Sequence, residues 1–254
     1  MVFDKTPEQQ PEQRAASSAA SPTPKSLRTR ARLVEAASRL FGVRGFTGVS
    51  TRAIAREAGC NIGLIAFHFG SKQSLYQAAR DAVRERLAAI VLPAAAHLRQ
   101  ALERNASPSE LLQAVQTEIG GILGSLLMKD YQPERFMLLM RELQETDEQA
   151  NRLYATVLIP MISALEDVIM VISGNASRRR AHLGAFLLVD AIIGVLRDYP
   201  LFHPHMHSDS DAQTDARILA EIIGTGVAAA FGELQRRNST AENGPPSPEL
   251  PVEA

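Results

Sequence analysis

Residues 50–76, STRAIAREAGCNIGLIAFHFGSKQSLY, place donors for phosphate and base edges at short intervals: Ser50, Thr51, Arg52, Asn61, His68 and Lys72. Arginine and asparagine reach base edges in a DNA groove, while hydroxyls and lysine hold phosphates. A second group is LFHPHMHSDSD (201–211), with His203, His205, His207, Asp209 and Asp211. Imidazole and carboxylate suit zinc, nickel or copper, and alternate residues of an extended segment share a face. The plain alternative for that stretch is a solvated loop between helices. GTGVAA (224–229) has the letters of a dinucleotide loop, but a helical run precedes it where a strand is needed. No nucleophile elbow, Walker loop or paired-histidine metal helix occurs. A helical enzyme is therefore the weaker alternative, and neither a cofactor nor a metal is expected.

These residues need positioning elements, and almost every segment reads as helix, with no period-2 alternation. Leu33, Ala37, Leu40 and Phe41 repeat at helical spacing, with Gly42 or Gly45 as the stop. Ser50 is a good N-cap for a short helix to Ala58, and a second follows over 61–68. Gly59 permits a left-handed cap between them, and the small Ala55 lets the two helices cross closely. Helix, glycine turn, helix is the spacing of a helix-turn-helix unit, although an ordinary helical hairpin packed into a core has it too. Gly70-Ser71 recap the chain before a helix from Lys72 to about Arg86 or Val91, with a kink or restart expected at Pro93. Further helices are expected over 108–128, 132–145, 149–173, 176–199 and 211–237.

Charge is divided unevenly. Net charge is −1, yet residues 27–86 carry eleven Arg or Lys against four acids. The remainder is acidic, so an anionic partner is expected for the first part alone. Residues 1–26 and 238–254 are rich in Pro, Ser, Gln and Ala and read as a disordered arm and tail. The single cysteine, Cys60, leaves no internal disulfide or cysteine-rich metal cluster. No uncharged apolar run reaches bilayer-spanning length, and the N-terminal residues lack a signal-peptide core. A cytoplasmic protein without a membrane partner is the resulting expectation.

The leading helix RARLVEAASRLFGVRGF, the unit STRAIAREAGCNIGLIAFHFGSK and the SLY that follows resemble the N-terminal domain of TetR/AcrR-family transcriptional regulators. The wording NIGLIAFHFGSK is closest to the CecR/CerR-like branch. The resemblance implies an all-α fold: a three-helix helix-turn-helix DNA-binding domain (27–76) and a larger effector-binding and dimerisation domain (77–237). It implies a double-stranded DNA operator, a homodimer and a small-molecule effector, with repression as the expected sign.

Carried over by position, Ser50, Thr51 and Arg52 touch the DNA backbone, and Arg28 reaches it from the basic leading segment. Asn61, Gly63 and Leu64 face the groove. Ala66, Phe67 and His68 approach phosphates or thymine methyls, and Lys72 anchors a phosphate. Phe67 stands where tyrosine is usual and cannot donate a hydroxyl. Base reading is thus expected from Asn61 and Arg52, with Leu64 or Ala66 on thymine methyls.

For the effector pocket the candidates are Met128, Tyr131, Phe136, Met137, Met140 and Arg141, faced by Tyr154, Met161, Phe186 and Asp190. Methionines and aromatics form adaptable apolar walls, as they also do in ordinary cores. For the dimer interface the candidates are the small residues Gly184, Ala191, Gly194, Gly224 and Ala228, which allow close helix approach.

Overall fold

The first helix starts earlier than the charge pattern suggests. Helix α1 (Pro24–Arg44) is opened by Thr23, whose hydroxyl accepts from the Ser26 amide at 3.3 Å, with Pro24 at the first helical position. The computed structural model describes residues 23–127, 133–144, 152–174, 177–205, 211, 213–226 and 229. Among these residues every regular element is a helix.

Helices α2 (Thr51–Glu57) and α3 (Gly63–Phe69) complete a small cluster around α1. Its centre is apolar: Leu33, Ala37 and Phe41 of α1 meet Ile54, Ile65, Leu75 and Ala79, all essentially without solvent contact. Phe41 and Phe46 lie against Tyr76, with ring centroids 4.9 and 5.1 Å away. Ser50 caps α2 through a 3.2 Å bond from Ala53 N, and Ser71 caps α4 through one of 3.0 Å from Ser74 N.

Helix α4 (Lys72–Glu103) does not stop at Pro93. Pro93 and Ala89 both lie on the exposed side, so water can take the carbonyl that the missing N–H leaves unbonded. The same helix therefore packs on α1 below and on the C-terminal body above. That body consists of α5 (Pro108–Leu127), α6 (Pro133–Gln144), a π-helical turn (Tyr154–Leu158), α7 (Ile159–Ile172) and α8 (Arg178–Phe202). A helical stretch over 213–226, α9, follows.

Ser107 and Glu110 form a reciprocal cap at the start of α5: the Ser107 amide donates to Glu110 at 2.7 Å. Tyr154–Ile172 is long and apolar enough to cross a bilayer by length and composition alone. It carries Glu166 and Asp167, however, and buries Val157, Ala164, Leu165 and Val168 in the core.

Candidate nucleic-acid interface and effector cavity

The orientation of α3 follows from which of its side chains the core requires. Ile65 is buried and Phe69 packs beside it, one turn later. Fixing that pair inward turns Gly63, Ala66 and Phe67 outward. Phe67 is 76% exposed, an unusual cost for a phenyl ring unless something covers it. His68 is half-buried and stands edge-on to the Phe67 ring, with centroids 5.0 Å apart. Leu64 is half-buried and packs against the core, so its side chain is shared between core and groove edge. Ile62 is 44% exposed, because the helix begins at Gly63 and the preceding turn swings it out.

Asn61 is exposed, and it has a local partner as well. Its Oδ1 accepts from the Gly63 amide at 2.8 Å, an Asx turn that leads into α3. That oxygen is engaged, which leaves the Nδ2 amide as the group able to reach a base. The turn before it depends on Gly59, at φ 59°, a left-handed conformation that side chains rarely adopt. The Gly59 carbonyl accepts from Arg32 Nη2 at 3.3 Å, so α1 holds the turn in place. Arg39 and Glu57 form a second tie between α1 and the unit, at 2.9 Å.

The cluster that holds α3 also carries several cations. Arg28 and Arg52 are exposed, Ser50 is exposed and Thr51 half-buried. The Lys72 ammonium sits 4.3 Å from the centre of the Phe46 ring, and Arg30 sits 5.1 Å from that of Phe69. Aromatic faces hold both cations without neutralising them. The roles of Arg30, Arg32 and Arg39 were not anticipated; for the first two, the i, i+2, i+4 spacing of Arg28, Arg30 and Arg32 in RTRAR was the available signal. Cys60 is half-buried, and its thiol points to the Ala58 carbonyl at 3.3 Å.

The effector candidates separate. Phe136, Met140 and Met161 line a cavity of about 50 Å³ enclosed by α4, α5, α6, α7 and α8. Met137, Tyr154 and Phe186 are instead exposed, at 40%, 38% and 44%, and Asp190 is exposed as well. Met137 follows Phe136 directly, so helical geometry turns it away from the wall that Phe136 and Met140 share. Arg141 faces α1: its Nε donates to the Gly42 carbonyl at 2.9 Å and its Nη2 to that of Val43 at 3.2 Å. Met128 and Tyr131 lie outside the described residues.

The interface candidates separate too. Ala191 is exposed and Gly194 half-buried with open space beside it. With Leu183, Phe186, Leu187 and Leu201 they form a mainly apolar outer stripe on α8, in which Asp190 also stands. Gly184 is half-buried. Gly224 instead packs inward against the Gln116 side chain of α5, so it serves the protomer. On α9 the outer stripe is Ile218 and Ile222. Ala228 lies outside the described residues.

The histidine segment is not extended where it is described: His203–His205 form a 3-10 turn that prolongs α8. His203 rests against the Tyr199 ring, 4.9 Å away. Asp211 is committed as a cap, accepting from the Gln213 and Thr214 amides at 2.9 and 2.8 Å. Those bonds hold its carboxyl below the usual carboxylate range, the Thr214 amide acting most strongly. No group of three metal-binding side chains occurs among the described residues, and His207 and Asp209 lie outside them.

Residues 33–79 match the family described as bacterial regulatory proteins, tetR family. The HTH-type transcriptional regulatory protein RaaS of Mycobacterium tuberculosis is 48% identical over 61 residues. That match covers 24% of this chain and 28% of RaaS, so the chain spans under a third of the curated relative it matches. A TetR-like transcriptional regulator from Rhodococcus sp. RHA1 superposes with a TM-score of 0.53 at 21% identity, over 78% of this chain and 96% of that one. NalD, the secondary repressor of the MexAB-OprM multidrug efflux pump in Pseudomonas aeruginosa, gives 0.50 at 22%, over 80% and 98%. The α1–α4 segment thus carries a tetR-family sequence, and the helices beyond it share the fold of TetR-like regulators.

Proposed function

We propose that the chain is a one-component transcriptional regulator that binds a palindromic operator as a homodimer and represses until an effector releases it. The observation that carries this reading is the outward face of α3. Its Ala66 and the bare Phe67 ring stand clear of the core, in a three-helix cluster that carries exposed Arg28 and Arg52 and is followed by Lys72 in the first turn of α4. That face suits a major groove, with the N-terminus of α4 and Lys72 on a phosphate. The outer stripes of α8 and α9 support pairing of two copies, which would present two such faces to successive turns of DNA. NIGLIAFHFGSK supports a place near the CecR/CerR-like branch. DNA binding would take place in the cytoplasm.

The test is fluorescence anisotropy with the intergenic DNA upstream of the chain's own gene, against scrambled DNA of equal length. At least hundredfold preference for the upstream DNA is expected. If three cations per protomer contact phosphate, log affinity should fall against log salt with a slope of about −5. Equal affinity for both DNAs would remove the reading.

A further inference from the structure

The chemistry of the cavity is set by what its wall lacks. All fifteen described wall residues are aliphatic, methionine or phenylalanine. No polar group among them offers a hydrogen bond, so a buried ion or amide would lose its hydration without replacement. On α4, Arg80 and Arg84 are the inward-lying cations that precede the wall residue Leu87, and both are already matched. Glu142, between Leu139 and Leu143 on α6, accepts from Arg84 Nη2 at 2.7 Å and lies 3.3 Å from Arg80 Nε. Asp81 takes Arg84 Nη1 at 2.7 Å. These two guanidinium groups thus face two carboxylates and are not available to a ligand's ion.

Size narrows the class further. The cavity, at about 50 Å³, is several times the roughly 10–15 Å³ that one water needs. That is about a third of the roughly 150 Å³ of an engineered apolar cavity that takes up benzene, so a single ring is the upper limit and enters only as the wall yields. Without polar partners, water gains nothing there, and such a space stays dry until an apolar molecule enters. Met140 and Met161 in the wall can adjust to the occupant's outline.

We propose that this cavity is the site of a compact, uncharged, hydrocarbon-like effector of about one ring, and that it rejects carboxylates and ammonium ions of equal size. Its regulatory meaning rests on the regulator reading above, but occupancy can be measured without DNA. Toluene, benzoate and benzylammonium form a matched series for the full-length protein, read by ligand-observed NMR titration and thermal unfolding.

Toluene is expected to bind saturably and raise the melting temperature, with benzoate and benzylammonium at least tenfold weaker. Met140→Trp, which fills the space, should abolish the toluene response at unchanged helicity. Leu143→Ala, which enlarges it, should make naphthalene bind at least tenfold more tightly than it binds the parent protein. Absence of saturable toluene binding, a charged analogue within tenfold of toluene, or a toluene response that survives Met140→Trp would each overturn the proposal. Should Met140→Trp fail to fold, the naphthalene gain in Leu143→Ala decides by itself. Operator binding by the ligand-free protein is measured separately, so failure there speaks against the regulator and not against the ligand class.

Discussion

Arg141 of α6 donates to the Gly42 carbonyl of α1 at 2.9 Å, across 99 residues of sequence. A second bond reaches Val43, and Arg135 pairs with Glu35 on the same seam. Gly42 makes the approach possible, since a Cβ there would fall on the Glu134 backbone oxygen. α6 therefore touches the effector cavity with one face and the DNA-binding cluster with another.

Removing either side of this contact should loosen the two parts. Arg141→Ala deletes donors to two carbonyls and should cost about 1–3 kcal/mol. Gly42→Ala forces α6 away from α1 and should cost about 1–3 kcal/mol or more by overpacking. Urea denaturation followed by circular dichroism measures both. A change below a few tenths of a kilocalorie in both variants would show that the seam is not part of the fold's stability.

Glu142 is essentially inaccessible, with Arg80 and Arg84 on either side. Burial works against the Arg84 charge, but the Glu142 hydrogen bond and attraction outweigh it and raise its pKa. Glu142→Ala removes the buried carboxylate that Arg80 and Arg84 share and should destabilise by about 3–5 kcal/mol. Unfolding of Glu142→Ala at the parental denaturant midpoint would contradict this.

Part of this organisation can be read from the chain and part cannot. Ser50, Gly59, Ser71 and the Ser107-Pro108 pair act through neighbours in sequence, so capping and turn chemistry reveals them. Thr23-Pro24 carried the same local signal for the start of α1, but the polar composition around it suggested an arm. Pro93 misled in the other direction, because its solvent exposure, not its identity, decides whether the helix continues. The Arg84–Glu142 and Arg141–Gly42 links span 58 and 99 residues, and no local pattern encodes such a pairing. The choice of Phe136 and Met140 over Met137 for the cavity likewise waits on how α6 is rotated against α4.

At the DNA face, Arg52→Ala and Lys72→Ala should each weaken binding to operator and random DNA alike. In a dimer each removes two phosphate contacts, so the salt slope should become shallower by about 2. Phe67→Tyr adds a hydroxyl where the ring is most exposed, and it should strengthen binding by about 0.5–1.5 kcal/mol per protomer. Anisotropy titrations at three salt concentrations test all three, and unchanged slopes for Arg52→Ala and Lys72→Ala would take them out of the interface.

The proposed pairing of two copies would rest on Leu187 and Ile222, exposed at 65% and 62% on the outer stripes. Leu187→Glu with Ile222→Glu places charge on both and should yield a monomer in sedimentation velocity, with operator affinity reduced at least hundredfold. A dimer that survives both substitutions would move the interface elsewhere.

The buried Tyr199 hydroxyl donates to Asp215 at 2.8 Å. Burial, then the carboxylate partner, raise the phenol's pKa well above its ordinary value of 10. The neutral phenol is favoured in the fold, so this contribution is full below pH 10 and is lost as pH climbs toward the raised value. Glu110 has the opposite sign: hydrogen bonds from Ser107 hold its carboxyl below the usual range. Its contribution is present at neutral pH and is lost as acid protonates it in the fold. Tyr199→Phe should cost about 1–3 kcal/mol at pH 7 by leaving Asp215 without its donor, and it should flatten the alkaline limb. Glu110→Gln should flatten the acid limb. Thermal unfolding from pH 3 to 11 reads both.

Helix α4 gives the molecule a lever. Its 32 residues make a rod about 48 Å long, with Lys72 at the tip and the cavity wall residues Leu87 and Val91 near mid-length. A tilt of about 5° imposed around the wall would carry the tip roughly 2 Å, and the full rod roughly 4 Å end to end. In a pair of subunits the two tips would move in opposite senses, which doubles the error in spacing. An effector no larger than one ring could then put two recognition helices out of step with the DNA without reshaping either of them.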